Sequence, residues 1–408
     1  MREVVITGAG VVSPLGNTRE RFTDRLFEGR SGIGPVTRFD TARFQCRLAG
    51  EANAEGLDDA VSGSFAHEMA RMDRFVRYSV IAARSACRES GIGNSHGIPP
   101  RGVVYVGVGM GGLPNIEIGI LRQEARGPRK TRPYLIPSLI PNMAAAMVSL
   151  DLELEGPQYT FSSACASGNQ ALGAAFHAIR AGDRHWALAG GSEAVITPIT
   201  FSGFQAMHAL SYRNDTCTPR PFDRARDGMI VGEGAAMFVL EEAEHAASRG
   251  ATILGRITGY ATTTGGGGIT LRSSSAAARC MSEAVEDSGL AATEIDVIFA
   301  QAPGMSHDDR ELAAITATFD DAGAHPAITS AEGHLGHTFA ASGPLSLMAA
   351  LGAFARQEIP KTLNLDEPAA GFEPLDLVTE RRAARIDHCL INSFGFGGVN
   401  ASLVCSRA

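Results

Sequence analysis

Short runs rich in valine and isoleucine alternate along the chain with alanine-rich stretches whose apolar positions recur at helical spacing. Val4 to Ile6 reads as a strand running into a Gly8-Ala9-Gly10 turn. Val103 to Val108 reads as a buried strand ending at Gly109-Met110-Gly111-Gly112, and Ala187 to Ala189 leads into Gly190-Gly191. Val297 to Ala300 and Cys389 to Ile391 repeat the same strand-then-turn order. Continuous apolar strands between helices predict buried, largely parallel sheets, and the fold class is α/β. Arg249-Gly250 and the Gly265 to Gly268 run flank a strand-like Thr252 to Thr258. That places a division between two α/β halves, 1–250 and 251–408. The Gly265 to Gly268 run lacks the strand, Gly-x-x-x-x-Gly-Lys and helix of a phosphate cradle, and reads as a flexible loop. Gly8-Ala9-Gly10 lacks the third glycine of a dinucleotide fingerprint.

Composition narrows the function classes. The chain has 408 residues, 44% hydrophobic and 20% charged, enough for a large buried core. Its net charge of −8 argues against nucleic acid as the main partner, because a phosphate footprint needs clustered Lys and Arg. Arg122, Arg126, Arg129, Lys130 and Arg132 form a local basic run, read first as a solvated face and second as a patch for an acidic carrier protein. The seven cysteines are scattered, with no CxxC pair, which fits reduced thiols rather than a disulfide frame or a metal site. No signal-peptide pattern and no apolar stretch of membrane-spanning length occurs, so the expectation is a cytoplasmic protein with no membrane contact.

The strongest chemical signal is Thr160-Phe161-Ser162-Ser163-Ala164-Cys165-Ala166-Ser167-Gly168. Small residues surround Cys165, and Asn169 to Arg180 continues with helical spacing through Leu172, Ala175, Phe176 and Ile179. The cysteine therefore sits where a strand turns into a helix. A helix N-terminus favours the thiolate, and the turn aims a backbone N–H at a developing oxyanion. A buried structural thiol is the competing reading of the position and its neighbours.

The segment resembles the nucleophile motif of β-ketoacyl-acyl-carrier-protein synthases, above all synthase II and its type II polyketide relatives. Three further stretches resemble that family in the same order. They are Val4 to Gly16, the group Arg220-Pro221-Phe222-Asp223 with Arg226-Asp227-Gly228 and Gly232-Glu233-Gly234-Ala235, and Asn392-Ser393-Phe394-Gly395-Phe396-Gly397-Gly398-Val399-Asn400. The resemblance implies a thiolase fold, with two similar α/β halves in a five-layer αβαβα arrangement, and a homodimer or a heterodimer with another ketosynthase-type subunit. It implies no bound cofactor, the phosphopantetheine being carried by an acyl carrier protein. Cys165 would take the acyl chain, with the backbone N–H groups of Cys165 and Phe396 as oxyanion donors. Phe396 would also be a gate among the loop glycines Gly395, Gly397 and Gly398, and Met110 would line the acyl pocket.

The family's two histidines are only partly present. Gly336-His337-Thr338-Phe339-Ala340-Ala341-Ser342-Gly343 resembles the second histidine motif, so His337 is the expected catalytic imidazole, with His334 a weaker competitor. Where the first motif has Asn-Ala-His-Gly-Thr, this chain has Ala300-Gln301-Ala302-Pro303-Gly304-Met305, which sets Gln301 in the histidine's place. The downstream acids are Asp308 or Asp309 and Glu311, with His307 too far along to be assumed a substitute. Glu332 stands where the family keeps a lysine. Glutamine cannot act as a base or become cationic, so decarboxylation of a malonyl unit is the step put in question. The residues thus allow an elongating synthase with an unusual site, a non-elongating transacylase, or a chain-length-factor-like non-catalytic subunit.

Overall fold

The computed structural model describes residues 1–53, 64–93, 98–99, 101–266, 268–270 and 273–408. Part of the Gly265 to Gly268 run, at Gly267, lies outside the described residues. Eleven strands form the main sheet: β1 (Val4–Val12), β2 (Val103–Gly107), β3 (Gln158–Phe161), β4 (Trp186–Glu193), β5 (Gly234–Glu242), β6 (Gly255–Thr264), β7 (Val297–Phe299), β8 (Ala327–Thr329), β9 (Asp376–Leu377), β10 (His388–Gly395) and β11 (Val399–Ser406). Their order is β9-β8-β7-β10-β11-β6-β1-β5-β4-β2-β3. The order β3-β2-β4-β5-β1 recurs as β8-β7-β10-β11-β6, and the two sets join where Val4 to Ile6 pairs with Gly255 to Ile257.

The pairing is mixed rather than largely parallel. The outer neighbours are parallel, whereas β4-β5, β5-β1, β1-β6, β6-β11 and β11-β10 are antiparallel. A tight hairpin at Gly397-Gly398, both at positive φ, forces β11 to return antiparallel beside β10.

Five helices matter for the layers: α1 (Arg74–Ser90), α2 (Ser167–Arg180), α3 (Ser274–Ser288), α4 (Asp308–Phe319) and α5 (Ser342–Arg356). Helices α2 and α5 lie between the two sets of strands and touch both, which is why α5 is buried from Ser342 to Phe354 on every side. Helix α1 covers β1 and β5, and α3 covers β6 and β11, completing the αβαβα layers of a thiolase fold.

Two expected turns are strand interior. β1 continues through Gly8-Ala9-Gly10, and β4 continues through Gly190-Gly191. The glycines are there for close approach. A Cβ at Gly8 or Gly10 would overlap the carbonyl oxygens of Ala86 or Ala82 on α1, and one at Gly190 would overlap Ala236 on β5.

The Arg220 to Asp223 segment fixes the loop before α4. Arg220 is bidentate to Asp223, at 3.0 and 3.0 Å, and its Nη2 also reaches Asp366 at 2.7 Å. Asp223 also accepts the N–H groups of Ala225, Asp366 and Glu367. Nearby, Gly228 N–H donates to Gly304 O at 3.0 Å and Arg226 Nε to Met305 O at 3.0 Å. Burial pushes the Asp223 carboxyl up, but Arg220 and the three N–H groups outweigh it and hold it at about 2. A carboxyl held low in the folded state stabilises above its unfolded value of ~4 and loses that contribution as pH falls toward about 2. Asp223→Asn is expected to destabilise the protein by roughly 3 kcal/mol at neutral pH, by leaving Arg220 without its buried partner. It should also flatten the acid limb of a melting-temperature profile between roughly pH 2 and 5, which thermal unfolding would check.

Candidate active site

Cys165 stands in a tight elbow between β3 and α2. Ala164 carries φ 52°, a left-handed conformation that costs an alanine on the order of 1 kcal/mol and is tolerated only where the surroundings enforce it. Those surroundings are local hydrogen bonds. Ser163 N–H donates to Ser167 Oγ at 2.8 Å, Ser167 N–H to Ala164 O at 3.2 Å, and Ser163 Oγ to Gln170 Oε1 at 2.6 Å. From the other half, Ser393 Oγ of β10 donates to Cys165 O at 2.7 Å. Gly395, at the end of β10, passes so close that a Cβ there would lie 2.6 Å from Ser163 O and 3.3 Å from Cys165 N.

His337 meets the thiol: its Nε2 is 3.1 Å from Cys165 Sγ. Its backbone is clamped to the short strand Val231–Gly232, with His337 N–H donating to Ile230 O at 2.7 Å and Gly232 N–H donating to His337 O at 2.8 Å. The Gly232-Glu233-Gly234 motif thus positions the imidazole, while Glu233 is buried among Arg38, Arg74 and Tyr78. His337 Nδ1 lies 3.0 Å from Glu332 Oε2, and Ser342 Oγ donates to the other carboxylate oxygen. Desolvation pushes His337 down, but the charges of Glu332 and Cys165 outweigh it and hold the imidazole up at about 10.

A cavity of about 170 Å³ opens over the thiol and imidazole. Met110, Phe204, Met229, Met305, Phe339 and Phe396 make its wall apolar, fit for a hydrocarbon chain. Phe396 is exposed at the tip of the β10-β11 hairpin, with its ring 6.4 Å from that of Phe204. Gly397 N–H donates to Ile269 O at 2.8 Å and Gly265 N–H to Gly398 O at 2.8 Å, so Gly265 and Ile269 brace the hairpin, and Thr270 reaches the cavity.

The cavity also contains two titratable residues the sequence did not single out as part of the site. Glu193, at the end of β4, accepts the N–H groups of Gly109, Met110 and Gly111 and so shapes the Met110 wall. Burial pushes its carboxyl up to about 7, against the lowering by those N–H groups. A charged residue directly after the apolar run of β4 was the available signal. His307, too far along the chain to be assumed a substitute for the missing histidine, lines the cavity as well. Asp308 accepts the N–H groups of Gly304 and Met305 at 2.9 and 3.2 Å, and Asp309 pairs with Arg226 at 2.6 Å.

Gln301 is held behind the cavity wall and is not among the residues lining it. Its Oε1 accepts the Phe394 N–H at 2.9 Å, its own N–H donates to Glu311 Oε1 at 3.1 Å, and it is 1% exposed. His334, the other imidazole candidate, has both ring nitrogens against carbonyl oxygens, of Arg30 at 2.8 Å and Lys361 at 3.1 Å. No helix among the described residues is long and apolar enough to cross a membrane.

A thiol paired with an imidazole beneath an apolar cavity can carry an acyl group as a thioester, which is the working arrangement of a thiol-dependent acyl transferase. Residues 1–246 match the family described as "Beta-ketoacyl synthase, N-terminal domain", and residues 254–366 match "Beta-ketoacyl synthase, C-terminal domain". The 3-oxoacyl-[acyl-carrier-protein] synthase 2 of Coxiella burnetii is 38% identical over 412 residues, covering 100% of this chain and 99% of the relative. The ishigamide ketosynthase/chain length factor superposes with a TM-score of 0.93 at 31% identity, covering 100% of this chain and 99% of that one. A type II polyketide ketosynthase solved with its acyl carrier protein, AntDE:AntF, superposes at 0.90 with 26% identity, covering 100% of this chain and 99% of that one. The chain belongs to the β-ketoacyl synthase family, and its activity class is acyl transfer of the 3-oxoacyl-[acyl-carrier-protein] synthase type.

Proposed function

We propose that this protein loads an acyl chain from the phosphopantetheine thioester of an acyl carrier protein onto Cys165, then condenses or transfers it in fatty-acid- or polyketide-type biosynthesis. The observation that carries this reading is the 3.1 Å approach of His337 Nε2 to Cys165 Sγ at the floor of an apolar cavity. In it, the Cys165 and Phe396 N–H groups stabilise the tetrahedral oxyanion, Phe396 gates the chain and Met110 adapts to its length. The exposed Arg126, Arg129, Lys130 and Arg132 suit an acidic carrier, and the two halves divide near residue 250. The working unit is a dimer, with a second copy or with another ketosynthase-type subunit.

Gln301 bears on the step after loading. A glutamine behind the wall supplies neither a base nor a cation to a malonyl carboxylate, which favours transfer over decarboxylative elongation. The chain-length-factor-like reading draws on the same position and on the likeness to a ketosynthase/chain length factor. Incubation with acyl-carrier protein, followed by intact mass, separates the readings. Loading predicts an acyl adduct on the wild type and none on Cys165→Ala. A wild type that stays unmodified would overturn the loading reading in favour of the subunit. Adding malonyl-carrier protein then decides the second step, because a ketoacyl product without a partner would rule out transfer alone.

A further inference from the structure

Glu332 does more than occupy space beside His337. Both carboxylate oxygens are engaged, Oε2 with His337 Nδ1 at 3.0 Å and Oε1 with the Ser342 hydroxyl. The residue is 4% exposed and sits at the start of the short helix Glu332–Leu335. Gly336, at φ 72°, turns the chain back so that the imidazole five residues on faces it. A carboxylate buried this deeply costs several kcal/mol unless it is paired, and among the described residues the ion-pair partner of Glu332 is His337. The imidazole is therefore bridged, with the carboxylate on one nitrogen and the thiol on the other.

We infer that Glu332 is a positioning residue completing a Cys165–His337–Glu332 relay, which fixes the His337 tautomer and holds the resting nucleophile as a thiolate–imidazolium pair. The inference rests on the loading reading for its biological use, but its geometry is independent of any carrier protein. Cys165 Sγ–H gives its proton to His337 Nε2, while Nδ1–H donates to Glu332. The thiolate attacks the thioester carbonyl, a new C–S bond forms and the pantetheine C–S bond breaks. The departing thiolate takes the proton back from His337 Nε2. No other reactant is needed, and an acceptor with an S–H, N–H or O–H could discharge the acyl group by the same steps in reverse. The other titratable groups facing the cavity are His307 and Glu193, whose carboxyl, pushed up to about 7 by burial and held by the N–H groups of Gly109, Met110 and Gly111, is common to the wild type and every variant compared.

The test is the pH profile of Cys165 alkylation by iodoacetamide, read on the Cys165 peptide so that the exposed Cys217 does not contribute. Glu332→Gln should move the profile to higher pH by about 1 unit, an approximately tenfold lower rate at about pH 6, with Glu332→Asp lying between it and the wild type. Ser342→Ala keeps the carboxylate but frees one oxygen, and should shift the profile in the same direction by less. It serves where Glu332→Gln does not fold, as judged by thermal melting. An unchanged profile in folded Glu332→Gln, or in Ser342→Ala where that variant alone folds, would overturn the relay. Because iodoacetamide needs no carrier protein, a Glu332-dependent profile without acyl loading would sink only the loading reading. Loading with a Glu332-independent profile would sink only the relay.

Discussion

His337→Ala is expected to slow acyl loading of Cys165 by about 10²–10⁴-fold, short only of removing the nucleophile itself. Geometry sets this expectation. His337 Nε2 at 3.1 Å is the imidazole nitrogen on the thiol, and His334 cannot substitute because both its nitrogens face backbone carbonyls. Alanine leaves the oxyanion donors and the cavity in place, so a residual rate should survive. His337→Asn is expected to do little better, since it restores a hydrogen bond but cannot exchange a proton. The wild-type pH profile supplies a second check. An imidazole held up at about 10 keeps its proton through neutral pH and loses it as pH rises through that value. Loading should accordingly be sustained across neutral pH and fall near pH 10, and this fall should vanish in His337→Ala. Stopped-flow transfer from a fluorescent acyl-carrier protein measures both. A His337→Ala rate close to that of the wild type would remove the imidazole from the mechanism.

How much of the molecule was legible in the sequence depends on the distance over which each signal acts. The α/β class, the strands beginning at Val4, Val103 and Val297 and the helix after Cys165 were all readable, because periodicity is local. Gly8-Ala9-Gly10 and Gly190-Gly191 were misread as turns, since what demands glycine there is a backbone on another element, invisible from either segment. Parallel pairing was overestimated for a similar reason: buried antiparallel strands in the middle of a covered sheet look as apolar as parallel ones. Within the site, Cys165 and His337 could each be named, but their approach depends on β10, α5 and the Val231–Gly232 strand closing together. Glu332 read as the loss of a lysine. Only the turn at Gly336 shows that the replacement carboxylate faces His337, which changes its meaning from a missing cation to an added partner.

That closing together rests on a few small residues, and Gly168→Val should show it. Gly168 lies in the first turn of α2, just after the nucleophile. A Cβ there would overlap the Ala340 carbonyl oxygen and meet the Pro344 ring, and Gly191 of β4 lies against the same Ala340 oxygen. Gly343, in the first turn of α5, is likewise pressed on Asn169. The nucleophile helix, the end of β4 and the loop carrying His337 therefore meet with nothing between them, and the carbonyl in the gap is backbone that cannot rotate away. Valine adds three carbons where one does not fit, so a loss of roughly 3 kcal/mol or more is expected from the overpacking alone. A stability loss alone would mark an ordinary core. The more informative outcome concerns the site: relief of the clash must part α2 from the Ala340 loop, and those two segments carry Cys165 and His337. Folded Gly168→Val, assayed below its lowered melting temperature, should therefore load acyl groups far more slowly, and its alkylation profile should move toward higher pH as the thiol loses the imidazole. A variant that melts earlier yet keeps the wild-type profile would show that the Cys165–His337 contact is secured elsewhere.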